Sequence, residues 1–75
     1  MPENNTESRA RLLVATAVQT QLAAAVVILR QARDNIRVLQ QAGIGVGPAL
    51  ENADQALLLA EKAHAQVVTI ARRIP

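Results

Sequence analysis

The chain has 75 residues, 51% of them apolar, a net charge of +2, and no Phe, Trp, Tyr or Cys. Stabilisation by disulfides is therefore excluded, and a single histidine argues against a structural metal site, which needs three or four ligands. So short a chain buries only about 60% of its unfolded surface. We therefore expect its many apolar residues to require a partner chain.

The chain opens with a polar stretch, residues 1–5, that contains Pro2 and predicts a flexible tail. This stretch has neither a basic segment nor an apolar segment of the kind found in signal peptides, so we expect a cytoplasmic protein. Alanine is very frequent, and seven of the eight basic residues are arginine, Lys62 being the exception. This composition suits a bacterial or phage gene.

A long first helix is predicted from about residue 7 to 42. Asn4 and Glu7 have the spacing of a capping box, and Thr6 is an alternative N-cap. No Gly or Pro follows until Gly43. Apolar residues recur at alternating steps of three and four, which is typical of one helix packing against another. This seam comprises Ala15, Val18, Leu22, Ala25, Leu29, Ala32, Ile36 and Leu39.

A glycine-rich turn is predicted at residues 43–47, since all three glycines lie there. Gly43 stands where a left-handed residue would end the first helix. Pro48 is placed as the first residue of a second helix, where its missing N–H costs nothing. So short a connection makes two helices antiparallel neighbours. The sequence therefore predicts a single all-α helical-hairpin domain over residues 6–75.

The second helix is predicted from about residue 48 to 74 and repeats the spacing of three and four. A second apolar row, Ala49, Ala56, Ala63 and Ile70, runs beside its seam. The two seams together predict the hairpin core. Its members are Val18, Leu22, Ala25, Leu29, Ala32, Ile36, Leu39, Leu50, Ala53, Leu57, Ala60, His64 and Val67.

Folding at this turn is predicted to pair residues whose numbers sum to about 91. Arg37 would then lie near Asp54, and Arg30 near Glu61. Such exposed pairs are worth about 0–1 kcal/mol each and mainly help to fix the alignment. The second helix would end opposite about Ala17, so the first helix would extend beyond it.

Seven large apolar residues fall on that extension or outside the two seams. A helix that is apolar nearly all round must be buried on more than one side. We therefore predict a homodimeric four-helix bundle, with a trimer, a tetramer or a hetero-complex as alternatives. The assembly would serve as a small interaction or regulatory module and would also bind a protein partner. The predicted interface residues are Leu12, Leu13, Val14, Val27, Ile28, Leu58 and Leu59.

A basic stripe on the first helix gives an alternative. Arg30, Arg33 and Arg37 step by three and four and could contact phosphates. The layout resembles that of Rop-type RNA-binding helical-hairpin dimers, without a shared motif, and this resemblance implies a nucleic-acid partner. The absence of aromatic side chains argues against single-strand binding, which uses stacking. The competing interpretation is a solvated face with acidic counter-ions.

A membrane function is the second alternative. Residues 12–29 contain no charge and are close to the length of about 20 that a span needs. However, Thr and Gln interrupt the run, and arginines flank it closely. The apolar stretch after Leu50 contains Asp54, Glu61 and Lys62, so it should not span. A small holin-like protein would fit this pattern less well than a soluble bundle.

Catalysis is not expected, and no catalytic residue, metal or cofactor is assigned. The Gly43–Gly47 segment lacks the Lys-Ser/Thr of a phosphate-binding loop and follows a helix instead of a strand. Ser8 lies at a helix start, far from His64. His64 could act as a pH-sensitive group or as a ligand with its twofold mate. The simpler interpretation is a half-buried packing residue that fixes register.

Overall fold

The computed structural model contains two helices, α1 (Pro2–Gln41) and α2 (Ala49–Arg72), and describes the side chains of residues 6–75. No strand occurs within that part of the chain. The prediction of an all-α helical hairpin is confirmed. The side chains of residues 1–5, which make up the predicted flexible tail and include Asn4 of the capping box, lie outside the described residues.

α1 is long because nothing in its sequence interrupts a helix. Its interior is rich in Ala, Leu, Gln and Arg, all strong helix formers. The hydroxyl groups of Thr16 and Thr20 donate hydrogen bonds to the carbonyls of Leu12 (2.8 Å) and Thr16 (3.1 Å). These threonines are thus accommodated by bonds within the helix, although their propensity for helix is low.

α1 ends in a Schellman motif centred on Gly43. The N–H of Ile44 donates to the carbonyl of Leu39 and the N–H of Gly43 donates to that of Gln40, both at 3.0 Å. Gly43 has φ +85°, which L-residues with a side chain rarely adopt. The predicted role of Gly43 as the left-handed residue after the helix is confirmed.

The start and end of α2 differ slightly from the prediction. Gly47 also has a positive φ, +55°, and turns the chain into α2. The N–H of Asn52 donates to the carbonyl of Pro48 at 2.9 Å, so Pro48 is the N-cap and not the first helical residue. α2 ends at Arg72, two residues before the predicted end at Ile74. Offsets of one or two residues are ordinary at helix ends.

The hairpin is a thin rod whose Cα atoms span 63 × 14 × 12 Å. Its radius of gyration is 17.7 Å, against about 11 Å for a globular domain of this length. Its accessible surface is 5672 Å², about 1,200 Å² more than a folded monomer of this mass exposes. Among the described residues only Ala15 and Leu57 are buried, at 8% and 4% exposed.

Candidate interaction surfaces

The hairpin seam brings together most of the predicted core but buries little of it. Leu57 is buried, and ten other members are half-buried: Val18, Leu22, Ala25, Leu29, Ile36, Leu50, Ala53, Ala60, His64 and Val67. Ala15, which belongs to the seam pattern, is also buried. Two helices present only one side of each to the other, so most seam residues keep an open flank.

Ala32 and Leu39 are corrections to the predicted core, because both are exposed. At the level of Ala32 the neighbouring residue Arg33 lies against α2 instead, and its side chain is only 22% exposed. Leu39 lies in the last turn of α1, where the chain is already leaving the helix. The apolar pattern placed both residues in the seam, but at these levels the pattern alone did not determine which residue faces the partner helix.

The alignment of the two helices differs from the predicted one. Arg33 Nε lies 3.9 Å from Asp54 Oδ1, whereas Arg37 Nη1 lies 4.0 Å from Asp34 Oδ1 on its own helix. The predicted Arg37–Asp54 pair is therefore wrong, and Arg30 and Glu61 form no ion pair in the part of the chain that the structure describes. α2 is paired with residues of α1 one helical turn nearer the N-terminus than expected.

This shift shortens the predicted extension of α1 beyond α2 by about one helical turn. An open groove of about 480 Å³ at the end of the hairpin away from the turn is lined by both helices. Ile74 therefore lies near Ala10, Arg11 and Val14 of α1, and not opposite Ala17. The residues lining the groove are Ala10, Arg11, Val14, Ala15, Val18, Val67, Ile70 and Ile74.

All seven predicted interface residues are exposed in the single chain, although the C-terminal end of the chain reaches the level of the first three of them. They are Leu12, Leu13, Val14, Val27, Ile28, Leu58 and Leu59. Four further large apolar residues are exposed that the prediction did not include: Val38, Leu39, Ile44 and Ile70. Ile70 was visible as a member of the second apolar row of α2, and Leu39 was assigned to the core.

One broad surface of the hairpin carries no charged residue, and we call it the uncharged face. At about 3.6 residues per turn, each helix has a second seam at steps of three and four beside the hairpin seam. Because the helices are antiparallel, the two second seams lie on the same side of the rod. The members are Ala10, Val14, Ala17, Gln21, Ala24, Ile28, Ala32, Asn35, Leu39, Asn52, Ala56, Leu59, Ala63, Gln66, Ile70 and Ile74.

The limits of the uncharged face are polar. At the open end it stops at the ion pair between Glu7 and Arg11, whose closest atoms are 3.6 Å apart. Along α2, Lys62 and Arg73 lie at its outer edge by helical position. Charged residues are thus confined to the edge of this surface and to the opposite side of the rod.

That opposite side, which we call the charged face, holds the basic stripe. Arg33 Nη2 lies 3.2 Å from Asp34 Oδ1, and Arg33 is also paired with Asp54. Asp34 is in addition the counter-ion of Arg37. Arg30 is exposed and forms no ion pair among the described residues. The three arginines therefore share one face with acidic neighbours, as the solvated-face interpretation requires and as a phosphate-binding stripe does not.

His64 is half-buried within the seam of α2. No hydrogen bond or ion pair involves its ring within residues 6–75. Nor does any group of three or more His, Cys, Asp or Glu side chains in this range have a geometry able to hold a metal ion.

α1 is also long and apolar enough to cross a membrane, judged by length and composition. The segment is Thr6–Gln41, and only 6% of its most apolar 18-residue window is buried inside the hairpin. Core helices of soluble assemblies and signal sequences satisfy the same criterion, so the property does not distinguish them.

Comparisons with protein-family models, curated proteins and solved structures give no match to this chain.

Proposed function

We propose that this protein is a small non-catalytic helical module of the cytoplasm that self-associates and presents its assembled surface to a protein partner. The observation that carries the proposal is the poor burial of an apolar chain. Eleven large apolar residues within residues 6–75 are exposed, while only Ala15 and Leu57 are buried. Monomeric proteins rarely expose contiguous apolar surface on this scale.

The excess of exposed surface is of the size that an interface removes. The hairpin exposes about 1,200 Å² more than a folded monomer of its mass, and a stable interface buries about 800 Å² per partner. Pairing of two hairpins into a four-helix bundle would cover about two thirds of this excess without any change in the helices. A closed twofold dimer is the commonest way in which a chain does this.

The mass of the purified chain in detergent-free buffer tests the proposal. Light scattering combined with a refractive-index detector suits a chain without Trp or Tyr, which absorbs little in the near ultraviolet. We expect about 16 kDa or a larger multiple of the 8.0 kDa chain mass. A mass of 8.0 kDa that persists across the concentration range would overturn self-association.

A membrane function is a second candidate, because α1 has the length and apolar composition of a span. The internal hydrogen bonds of Thr16 and Thr20 lower the cost of placing these hydroxyls in lipid. Co-sedimentation with phosphatidylglycerol–phosphatidylcholine vesicles distinguishes the two candidates. If the chain is monomeric in buffer and is recovered wholly with the vesicles, the four-helix bundle is wrong and the protein is a membrane protein.

Binding of nucleic acid through Arg30, Arg33 and Arg37 is a third candidate with less support, because Asp34 and Asp54 neutralise part of the stripe. Binding to phosphates would weaken steeply with salt, and Arg33→Glu would weaken it further. Filter retention of RNA and double-stranded DNA at low salt measures this directly. Absence of retention there would end the nucleic-acid hypothesis.

A further inference from the structure

We infer that the occupant of the uncharged face is the uncharged face of a second copy of this chain, with the two charged faces turned outward. The inference rests on the proposed self-association and specifies which side of the hairpin performs it. The exposed apolar residues alone do not identify the side that self-associates. Leu58 and Leu12 lie on the charged side of the rod, whereas Leu59 and Ile28 lie on the uncharged side.

The dimensions of the uncharged face match those of an interface between two equal rods. The face extends from Ala10 to Leu39, about 44 Å at 1.5 Å per residue. Two helices packed about 8–10 Å apart give it a width of about 18 Å. Its area is therefore about 800 Å², the amount that each partner contributes to a stable interface. A second hairpin has the same length and would cover it from end to end.

The chemistry of the uncharged face also favours a second copy. Without charges it neither repels itself nor attracts a charged partner. Alanines at positions such as Ala17, Ala24 and Ala63 allow helices to approach closely, and Ile28 and Leu59 can fill the spaces between them. This alternation of small and large residues is self-complementary, as a twofold interface requires.

The amide side chains on this face argue for a protein surface over lipid. Gln21, Asn35, Asn52 and Gln66 would each lose their hydrogen bonds with water in a bilayer and find no replacement there. Across a protein interface, amides can donate to and accept from one another. Lys62 and Arg73 would lie at the solvated rim, as charged residues of interfaces do.

Two adjacent leucines provide the test. Leu58 and Leu59 are 59% and 64% exposed. They are about 100° apart around α2, which places Leu58 toward the charged face of the rod and Leu59 toward the uncharged face. In the full chain, Leu59→Asp should raise the dissociation constant of the assembly at least about 100-fold, whereas Leu58→Asp should leave it within about threefold. Light scattering over a dilution series measures both variants, with far-ultraviolet circular dichroism reporting helix content.

Thiol labelling gives the same answer without placing a charge in the interface. The chain contains no cysteine, so Leu59→Cys and Leu58→Cys each carry a single thiol. In the assembled protein, a bulky maleimide should react at least about tenfold more slowly with the thiol at 59 than with the thiol at 58. The labelling experiment uses only the two cysteine variants, so it tests the inference even if Leu59→Asp fails to fold.

The outcomes separate the two proposals. A monomeric parent chain overturns self-association itself. An oligomeric parent chain whose assembly is disrupted equally by both Asp variants, or only by Leu58→Asp, overturns the assignment of the face alone. Equal labelling rates at the two thiols do the same.

Discussion

Leu57 is the residue on which the two helices of the single hairpin most depend. It is the only large apolar side chain of the described residues that the hairpin buries, at 4% exposed. Its neighbour Leu58 has the same chemistry and lies on the outside of the same turn. The pair therefore isolates the effect of burial from the effect of residue type.

Leu57→Ala should lower the free energy of unfolding by about 2–4 kcal/mol, because it removes buried methyl groups and leaves a partly collapsed cavity. Leu58→Ala should change it by less than about 0.5 kcal/mol, as ordinary surface substitutions do. Urea unfolding followed by circular dichroism at one fixed protein concentration gives both values. Equal losses in the two variants would show that Leu58 is buried in the assembly.

Single residues also show where sequence reasoning is sufficient. Gly43 is predictable because only glycine tolerates its backbone conformation at no cost, and Leu57 is predictable from its central seam position. Which of Ala32 and Arg33 faces α2 is not predictable from the sequence, because both residues lie near the boundary of the seam. The 22% exposure of the Arg33 side chain comes from its position against α2, with Asp54 as its counter-ion.

At the scale of the elements, the turn determines how the helices align. The hydrogen bond from Ile44 to Leu39 makes the chain reverse before it reaches the middle of the glycine-rich segment. The following residues then run back beside α1, which moves α2 about one helical turn along it. A count of residues from the centre of the turn misses this shift. Alanine-rich seams do not correct it, since small residues accept either alignment.

The two glycines 43 and 45 provide a matched test of this turn. At both positions an added Cβ would meet nothing within 4 Å, but only Gly43 has a positive φ, +85°. Gly43→Ala should lower the free energy of unfolding by about 1–2 kcal/mol through backbone strain. Gly45→Ala should leave it unchanged or raise it by up to about 1 kcal/mol, because it restricts the unfolded chain.

Thermal and urea unfolding of these two alanine variants check the prediction. If both variants lost the same stability, the cause would be the added methyl group and not the left-handed backbone. Gly43→Asn serves as a further control, since asparagine tolerates the left-handed region better than alanine does. It should recover part of the loss.

At the scale of the whole molecule, the distribution of charge is more informative than its amount. A net charge of +2 says little about partners, yet the charged residues between Ala10 and Leu39 all lie off one side of α1. The sequence contains the second seams, but their meeting on one side of the rod depends on the antiparallel arrangement of the helices. The uncharged face therefore becomes visible only once the hairpin is built.

Assembly through this face makes the stability of the fold depend on protein concentration. For a dimer that unfolds to two separate chains, a tenfold increase in concentration stabilises the folded state by about 1.4 kcal/mol. For about 150 residues in the cooperative unit, this should raise the midpoint of thermal unfolding by about 4 °C. Circular dichroism over a hundredfold range of concentration should thus show a rise of about 8 °C.

In Leu58→Asp the same rise should persist, whereas in Leu59→Asp the midpoint should be lower and independent of concentration. A parent midpoint that does not move with concentration would mean that the thin hairpin is stable alone, and that its apolar surface is not required for folding.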